Sequence, residues 1–108
     1  MPHAEIKYTD GLSIDPQALL AQIESRILAH DDGAGACKGR AIKIEDFHHR
    51  HIDIKVALLV KPHRDAAFSQ ALLADLRASL LPLIPKPSFF SLEVTYSGPF
   101  YITEELVE

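Results

Sequence analysis

The sequence predicts an α+β (α/β) domain built from two successive βαβ units, forming one four-stranded sheet with both helices on the same face. Three observations carry this: a period-two strand pattern at His3 to Tyr8, a second at Ile52 to Val60, and after each an apolar stripe at helical spacing leading to another alternating segment. Parallel crossovers are almost always right-handed, so two such units joined by a short connection place their helices on one side.

In the first unit Ala4, Ile6 and Tyr8 alternate with His3, Glu5 and Lys7, as a strand with one buried face requires. Asp10-Gly11 breaks the pattern. Asp15 then offers an N-cap with Pro16 at the first helical position, where a missing N–H costs little. Leu19, Leu20, Ile23, Ile27 and Leu28 form the helical stripe, and Asp31, Asp32 and Gly33 end it. A loop of small residues from Gly33 to Gly39 leads to a second strand, where Ile42 and Ile44 alternate with Ala41, Lys43 and Glu45.

The second unit repeats the order, so the pseudo-repeat halves cover about 1–47 and 48–108 of a single domain, without a convincing repeat of sequence. Ile52, Ile54, Val56, Leu58 and Val60 share one strand face. Asp65 caps a helix carrying Phe68, Leu72, Leu76 and Leu80, which Pro82, Pro85 and Pro87 keep from extending. Phe90, Leu92, Val94 and Tyr96 mark the fourth strand, and Ser97-Gly98-Pro99 turns the chain into a short C-terminal segment. Leu59 and Phe89 fall opposite the main apolar stripes, which predicts that another copy of the chain covers part of the second sheet face.

Composition narrows the function classes. The 108 residues suffice for one layered core, and 47% hydrophobic with 24% charged residues is the balance of a folded soluble chain. A net charge of -4, partly from Glu104, Glu105 and Glu108, argues against nucleic acid as a partner. The single cysteine, Cys37, cannot form an internal disulfide, and neither a leader pattern nor a long apolar span is visible. The expectation is a cytoplasmic protein with no membrane partner.

Met1-Pro2-His3 running directly into a strand is the feature that carries chemistry. A small second residue permits Met1 to be trimmed, which would expose a secondary amine. An α-amino group titrates at about 7.7 to 8, so burial and nearby cations need lower it only modestly to make a base for neutral pH. By itself a Met-Pro start is an ordinary N-terminus.

Together with Cys37-Lys38-Gly39-Arg40-Ala41 entering the second strand and Lys61-Pro62-His63-Arg64 before the second helix, Met1-Pro2-His3 resembles the 5-carboxymethyl-2-hydroxymuconate isomerase branch of the tautomerase superfamily, over nearly the whole chain. The resemblance implies a tautomerase/MIF-like homotrimer with active sites near subunit interfaces. It also implies a cofactor-free isomerase that shifts a proton in an unsaturated hydroxy or oxo carboxylic acid, in aromatic-compound catabolism. Pro2 would be the general base, and Arg64 with Arg40 the catalytic cations that stabilise the dienolate. Lys38 and His3 would contact substrate. Where the family pattern has Arg-x-Arg, this chain has Lys38-Gly39-Arg40, which keeps the charge but loses the fork that grips a carboxylate in two places. A keto-enol tautomerase of arylpyruvate-like molecules and a non-catalytic trimeric binding protein of the same fold are the alternatives.

Each of these residues also has a plain structural role available. Arg64 reads as a surface arginine beside Asp65, Lys38 and Arg40 as solvated loop charges, and His3 as an exposed strand histidine. His48-His49-Arg50-His51 raises metal binding, since His49 and His51 would share a strand side. No cysteine or carboxylate at ligand spacing completes a site, and a polar turn is expected instead.

Overall fold

The structure, a computed structural model, describes all residues 1–108. Strands β1 (His3–Thr9), β2 (Lys38–Ile44), β3 (His51–Leu58) and β4 (Phe89–Tyr96) alternate with helices α1 (Pro16–His30) and α2 (Ala66–Leu80), and a single 3-10 turn (Leu81–Leu83) follows α2. The sheet order is β2-β1-β3-β4. β1 pairs parallel with β2, β3 pairs parallel with β4, and the two units meet through antiparallel β1 and β3.

Both helices start where capping chemistry places them. Asp15 Oδ1 accepts from the Ala18 N–H at 3.1 Å and Asp65 Oδ1 from the Phe68 N–H at 2.9 Å, each satisfying a donor that has no partner in the first turn. Leu19, Ile23 and Ile27 of α1 and Leu72, Leu76 and Leu80 of α2 are buried against Ala4, Ile6, Ile52, Ile54, Val56 and Leu58 of the central strands. The helices are also tied by charge. Arg26 and His30 both donate to Asp75 Oδ2, at 2.9 and 2.8 Å, while Ser79 donates to Asp75 Oδ1 at 3.0 Å. No helix is long and apolar enough to cross a membrane.

Three sequence expectations are corrected. β2 begins at Lys38, inside the segment read as loop, because the pairing His3↔Lys38 and Ala4↔Gly39 continues the ladder to its edge. On that strand Ala41, level with buried Ile6, meets the helical core, whereas Ile42 faces the opposite side. Only small residues fit beneath α1 here: a Cβ built on Gly39 would lie 2.6 Å from Leu20 Cδ2 and 3.3 Å from its Cγ. Gly39→Ala should therefore destabilise the fold by ~1–3 kcal/mol, read as a lower urea midpoint with an unchanged slope; an unchanged midpoint would mean that Leu20 moves aside freely.

β3 ends at Leu58, and Val60 is 72% exposed instead of continuing the strand's buried face. The chain leaves the sheet because the next carbonyl, that of Leu59, is taken by Arg64 Nη1 at 2.9 Å. The histidine cluster forms the turn between β2 and β3 that the sequence suggested. His49 lies before the strand at φ 64°, and its carbonyl sits 2.8 Å from His51 Nδ1, so the two rings do not project as a ligand pair. No three His, Cys, Asp or Glu side chains stand close enough together to hold a metal ion.

Candidate active site

The strand pairings bring four termini to one edge of the sheet. His3 is level with Lys38 and with Ala57, and Ala57 with Thr95, so the starts of β1 and β2 lie beside the ends of β3 and β4. The C-terminus of α1 and the N-terminus of α2 come to the same edge, since each helix returns antiparallel to its own strand. Pro2 is buried there, and its carbonyl accepts from the Lys38 N–H at 2.9 Å.

Electrostatics at this edge centre on the chain's α-amine, which in this structure belongs to Met1. Its pKa lies below the ordinary 8.0, first because it is partly desolvated and then because Lys38, Lys61 and Arg64 are near. Pro2, Lys38 and Arg64 are thus brought together. Arg40 stands apart from that set, two residues further along β2, donating through Nε to Glu5 Oε2 at 3.0 Å. Lys61 is the member that the sequence reading left out of the site, although it opens the Lys61-Pro62-His63-Arg64 motif.

Arg64 is neither on the surface nor paired with Asp65. Its side chain is 2% exposed, and it donates through Nε and Nη2 to Asp31 Oδ2, at 3.0 and 2.8 Å. His63 Nε2 donates to the same oxygen at 2.7 Å. Asp65 is occupied in capping α2. Lys38 and Lys61 have no carboxylate within ion-pair distance.

The C-terminal segment contributes what sequence spacing could not reveal. The Tyr101 hydroxyl lies 2.9 Å from His3 Nε2, and the Lys38 ammonium donates to Thr103 Oγ1 at 3.4 Å. Arg40 Nη1 lies 3.3 Å from His3 Nδ1, and a guanidinium can only donate, so His3 carries its proton on Nε2 and gives it to Tyr101. Burial, followed by the charges of Lys38 and Arg40, holds His3 below its usual pKa and favours this neutral form. Beside Tyr101 opens a cleft of about 510 Å³ lined by Leu59, Val60, Lys61, Tyr96, Ser97, Gly98 and Pro99. A larger hollow of about 610 Å³ lies at the other end of the sheet, among Leu81, Pro82, Ile84, Pro85 and Phe90, with none of these groups in it.

The half-buried Cys37 thiol is poorly placed to act as a nucleophile. Burial, and then the Glu24 carboxylate that accepts the Cys37 backbone N–H at 2.7 Å, push the thiol up to about 11. The native protein should alkylate with iodoacetamide at pH 8 at least tenfold more slowly than the urea-unfolded chain; equal rates would contradict the raised pKa of this half-buried thiol.

Solved structures supply the comparison. A 5-carboxymethyl-2-hydroxymuconate isomerase from Deinococcus radiodurans R1 superimposes with a TM-score of 0.65 at 19% identity, covering 96% of this chain and 88% of that one. The chain has the tautomerase fold. A fused 4-OT wild-type symmetric trimer matches at TM-score 0.64 and 13% identity, covering 90% and 88% of the two chains. FG41 malonate semialdehyde decarboxylase matches at 0.66 and 12%, covering 97% and 90%. No protein-family model and no curated protein matches the sequence. The shared βαβ-βαβ plan thus outlasts nearly all sequence likeness, and these neighbours span isomerase and decarboxylase chemistry on one scaffold.

Proposed function

We propose that this chain belongs to the tautomerase superfamily, assembles as a homotrimer, and catalyses a 1,3-proton shift in an unsaturated hydroxy or oxo carboxylic acid. The observation that carries the proposal is the clustering of the N-terminal amine with Lys38, Lys61 and Arg64 at the edge where Pro2 is buried. With Met1 attached, the Pro2 nitrogen is an amide and has no basic lone pair. Removal of Met1 makes it a secondary amine one residue deeper in the same cationic surroundings.

In this mechanism neutral Pro2 takes a proton from a carbon adjacent to a carbonyl. The electrons move into a dienolate, and the prolinium returns the proton to a carbon further along. Positive charge placed where negative charge develops stabilises the transition state more than the ground state, and Lys38 and Lys61 are the free charges for it. His3 and Tyr101 border the substrate. The exposed apolar residues Ile42, Phe89, Phe100 and Ile102, together with the trimeric 4-OT neighbour, support self-association.

The test is an ultraviolet absorbance assay on unsaturated 2-hydroxy and 2-oxo acids with the Met1-free chain. Because the base must be neutral, kcat/KM should rise with pH through a midpoint below about 8, and Lys61→Gln should move that midpoint upward by removing a charge that opposes protonation. Pro2→Ala keeps a primary amine but not the fixed ring, so at least a tenfold loss is expected. Full activity in Pro2→Ala would end the proposal.

A further inference from the structure

The chain beyond Pro99 is held to the fold by side chains alone, since no backbone hydrogen bond joins it to the sheet or the helices. It nevertheless crosses the site. β4 and β2 are opposite edges of the sheet, yet Tyr101 meets His3 on β1 and Thr103 meets Lys38 on β2, so the segment passes over the strand ends from one edge to the other. Its side chains alternate on the way: Phe100 and Ile102 are 101% and 79% exposed, while Tyr101 between them falls to 39%. Core packing does not fix this placement, because no residue beyond Tyr96 belongs to the core or packs against it. The hydroxyl is what ties Tyr101 inward.

The direction of every hydrogen bond leading to that hydroxyl is determined. Arg40 can only donate; its Nε gives to Glu5 Oε2 at 3.0 Å and its Nη1 to His3 Nδ1 at 3.3 Å. A ring nitrogen that accepts carries no hydrogen, so neutral His3 has its one N–H on Nε2 and donates it to the Tyr101 oxygen at 2.9 Å. That oxygen is thereby an acceptor, and the phenolic hydrogen is left without a partner in the protein. A hydroxyl that accepts on one side becomes a stronger donor on the other. Tyr101 lines the cleft of about 510 Å³ together with Lys61, one of the charges that surround the N-terminal amine.

We infer that Tyr101 is a catalytic residue of the isomerase: its O–H donates to the substrate oxygen on which charge gathers when the neighbouring carbon loses its proton, and His3 and Arg40 are positioning residues that turn it to do so. This rests on the isomerase assignment for the reaction, and adds to it the group that receives the developing charge. The tyrosine keeps its proton throughout. The electron pair of the broken C–H bond spreads onto the oxygen, and returns to carbon when the prolinium gives the proton back. An oriented neutral donor suits this step, because its hydrogen bond strengthens as carbonyl becomes enolate, whereas Lys38 and Lys61 attract any anion, a carboxylate bound before reaction included.

Two measurements test the inference, and one needs no turnover. 4-Nitrophenol stands in for an enol, and its ionisation is read from the absorbance of the phenolate. Bound to the Met1-free chain it should ionise more readily than in water, and Tyr101→Phe, which keeps the ring and lacks the proton, should weaken that ionisation about tenfold. In the absorbance assay on 2-hydroxy and 2-oxo acids the same variant should lose about tenfold or more in kcat with little change in KM, short of the roughly 10²–10³ of a fully enclosed donor. His3→Ala should lose part of this in the parent and nothing further in Tyr101→Phe, whereas a merely structural histidine would cost the same in both. His3→Gln, whose amide accepts from Arg40 and donates to the tyrosine, should recover most of the loss. Failure of 4-nitrophenol to bind, equal ionisation of the probe in parent and Tyr101→Phe, or an unchanged kcat would overturn the inference. A shifted phenol on a chain that turns nothing over would sink the isomerase assignment and leave the oriented donor standing; turnover indifferent to Tyr101→Phe would do the reverse.

Discussion

Isomerase turnover should fall by a factor of about 10²–10⁴ when the chain keeps Met1, which is the range that a positioned acid–base group contributes. The comparison needs two preparations of one sequence, a processed chain and one whose methionine has been left on, distinguished by intact mass. Folding should be the same in both, because Met1 is not part of the buried core. The loss should appear in kcat, since the lysines that attract the substrate are untouched and only the proton acceptor has become an amide. Equal rates in the two preparations would mean that the base is another group. His3 would then be the first to test, being neutral and hydrogen-bonded to Tyr101 at the same edge.

Much of the fold was legible in the sequence because each signal was local. Asp15-Pro16 and Asp65 mark helix starts through hydrogen bonds spanning three residues, and the alternation from Ile52 to Leu58 is a property of one strand. The misreadings occurred where a neighbouring element decides. Ala41 and not Ile42 meets the core because the pairing with β1 sets Ala41 level with buried Ile6 and Ile42 level with Lys7, and nothing within β2 says so. Val60 continues the alternation but lies beyond the strand, because Arg64 takes the carbonyl beside it. The candidate site was legible as a list and illegible as a circuit. Pro2, Lys38 and Arg64 were singled out and do converge, yet Asp31 looked like an ordinary helix-ending residue. Its pairing with Arg64 spans 33 residues, and that of Tyr101 with His3 spans 98. Contacts of that separation leave no periodicity to find.

Arg64→Ala should destabilise the protein by about 3 kcal/mol, an effect that a surface arginine would not show. The substitution strands Asp31 beside a half-empty pocket and leaves the Leu59 carbonyl without its donor. The figure sits at the lower end of the range for breaking a buried pair because His63 still donates to Asp31, whose side chain keeps 11% of its surface in water. Arg64→Lys should recover part of the loss, retaining a charge but no two-edged fork. The acid side of the stability profile reports the same pair from the carboxylate. In the folded chain the hydrogen bond from His63, then that from Arg64, hold Asp31 at about 2, against roughly 3.9 in an unfolded chain. Between those values the unfolded state binds more protons, so this contribution is complete above about pH 4 and is lost as pH falls toward about 2. Allowing for solvent screening it amounts to ~1–2 kcal/mol. Asp31→Asn should therefore flatten the decline in urea midpoint between pH 4 and 2, and Arg64→Ala should shift that decline to higher pH. A decline with unchanged shape in both variants would show that the pair contributes nothing to acid stability.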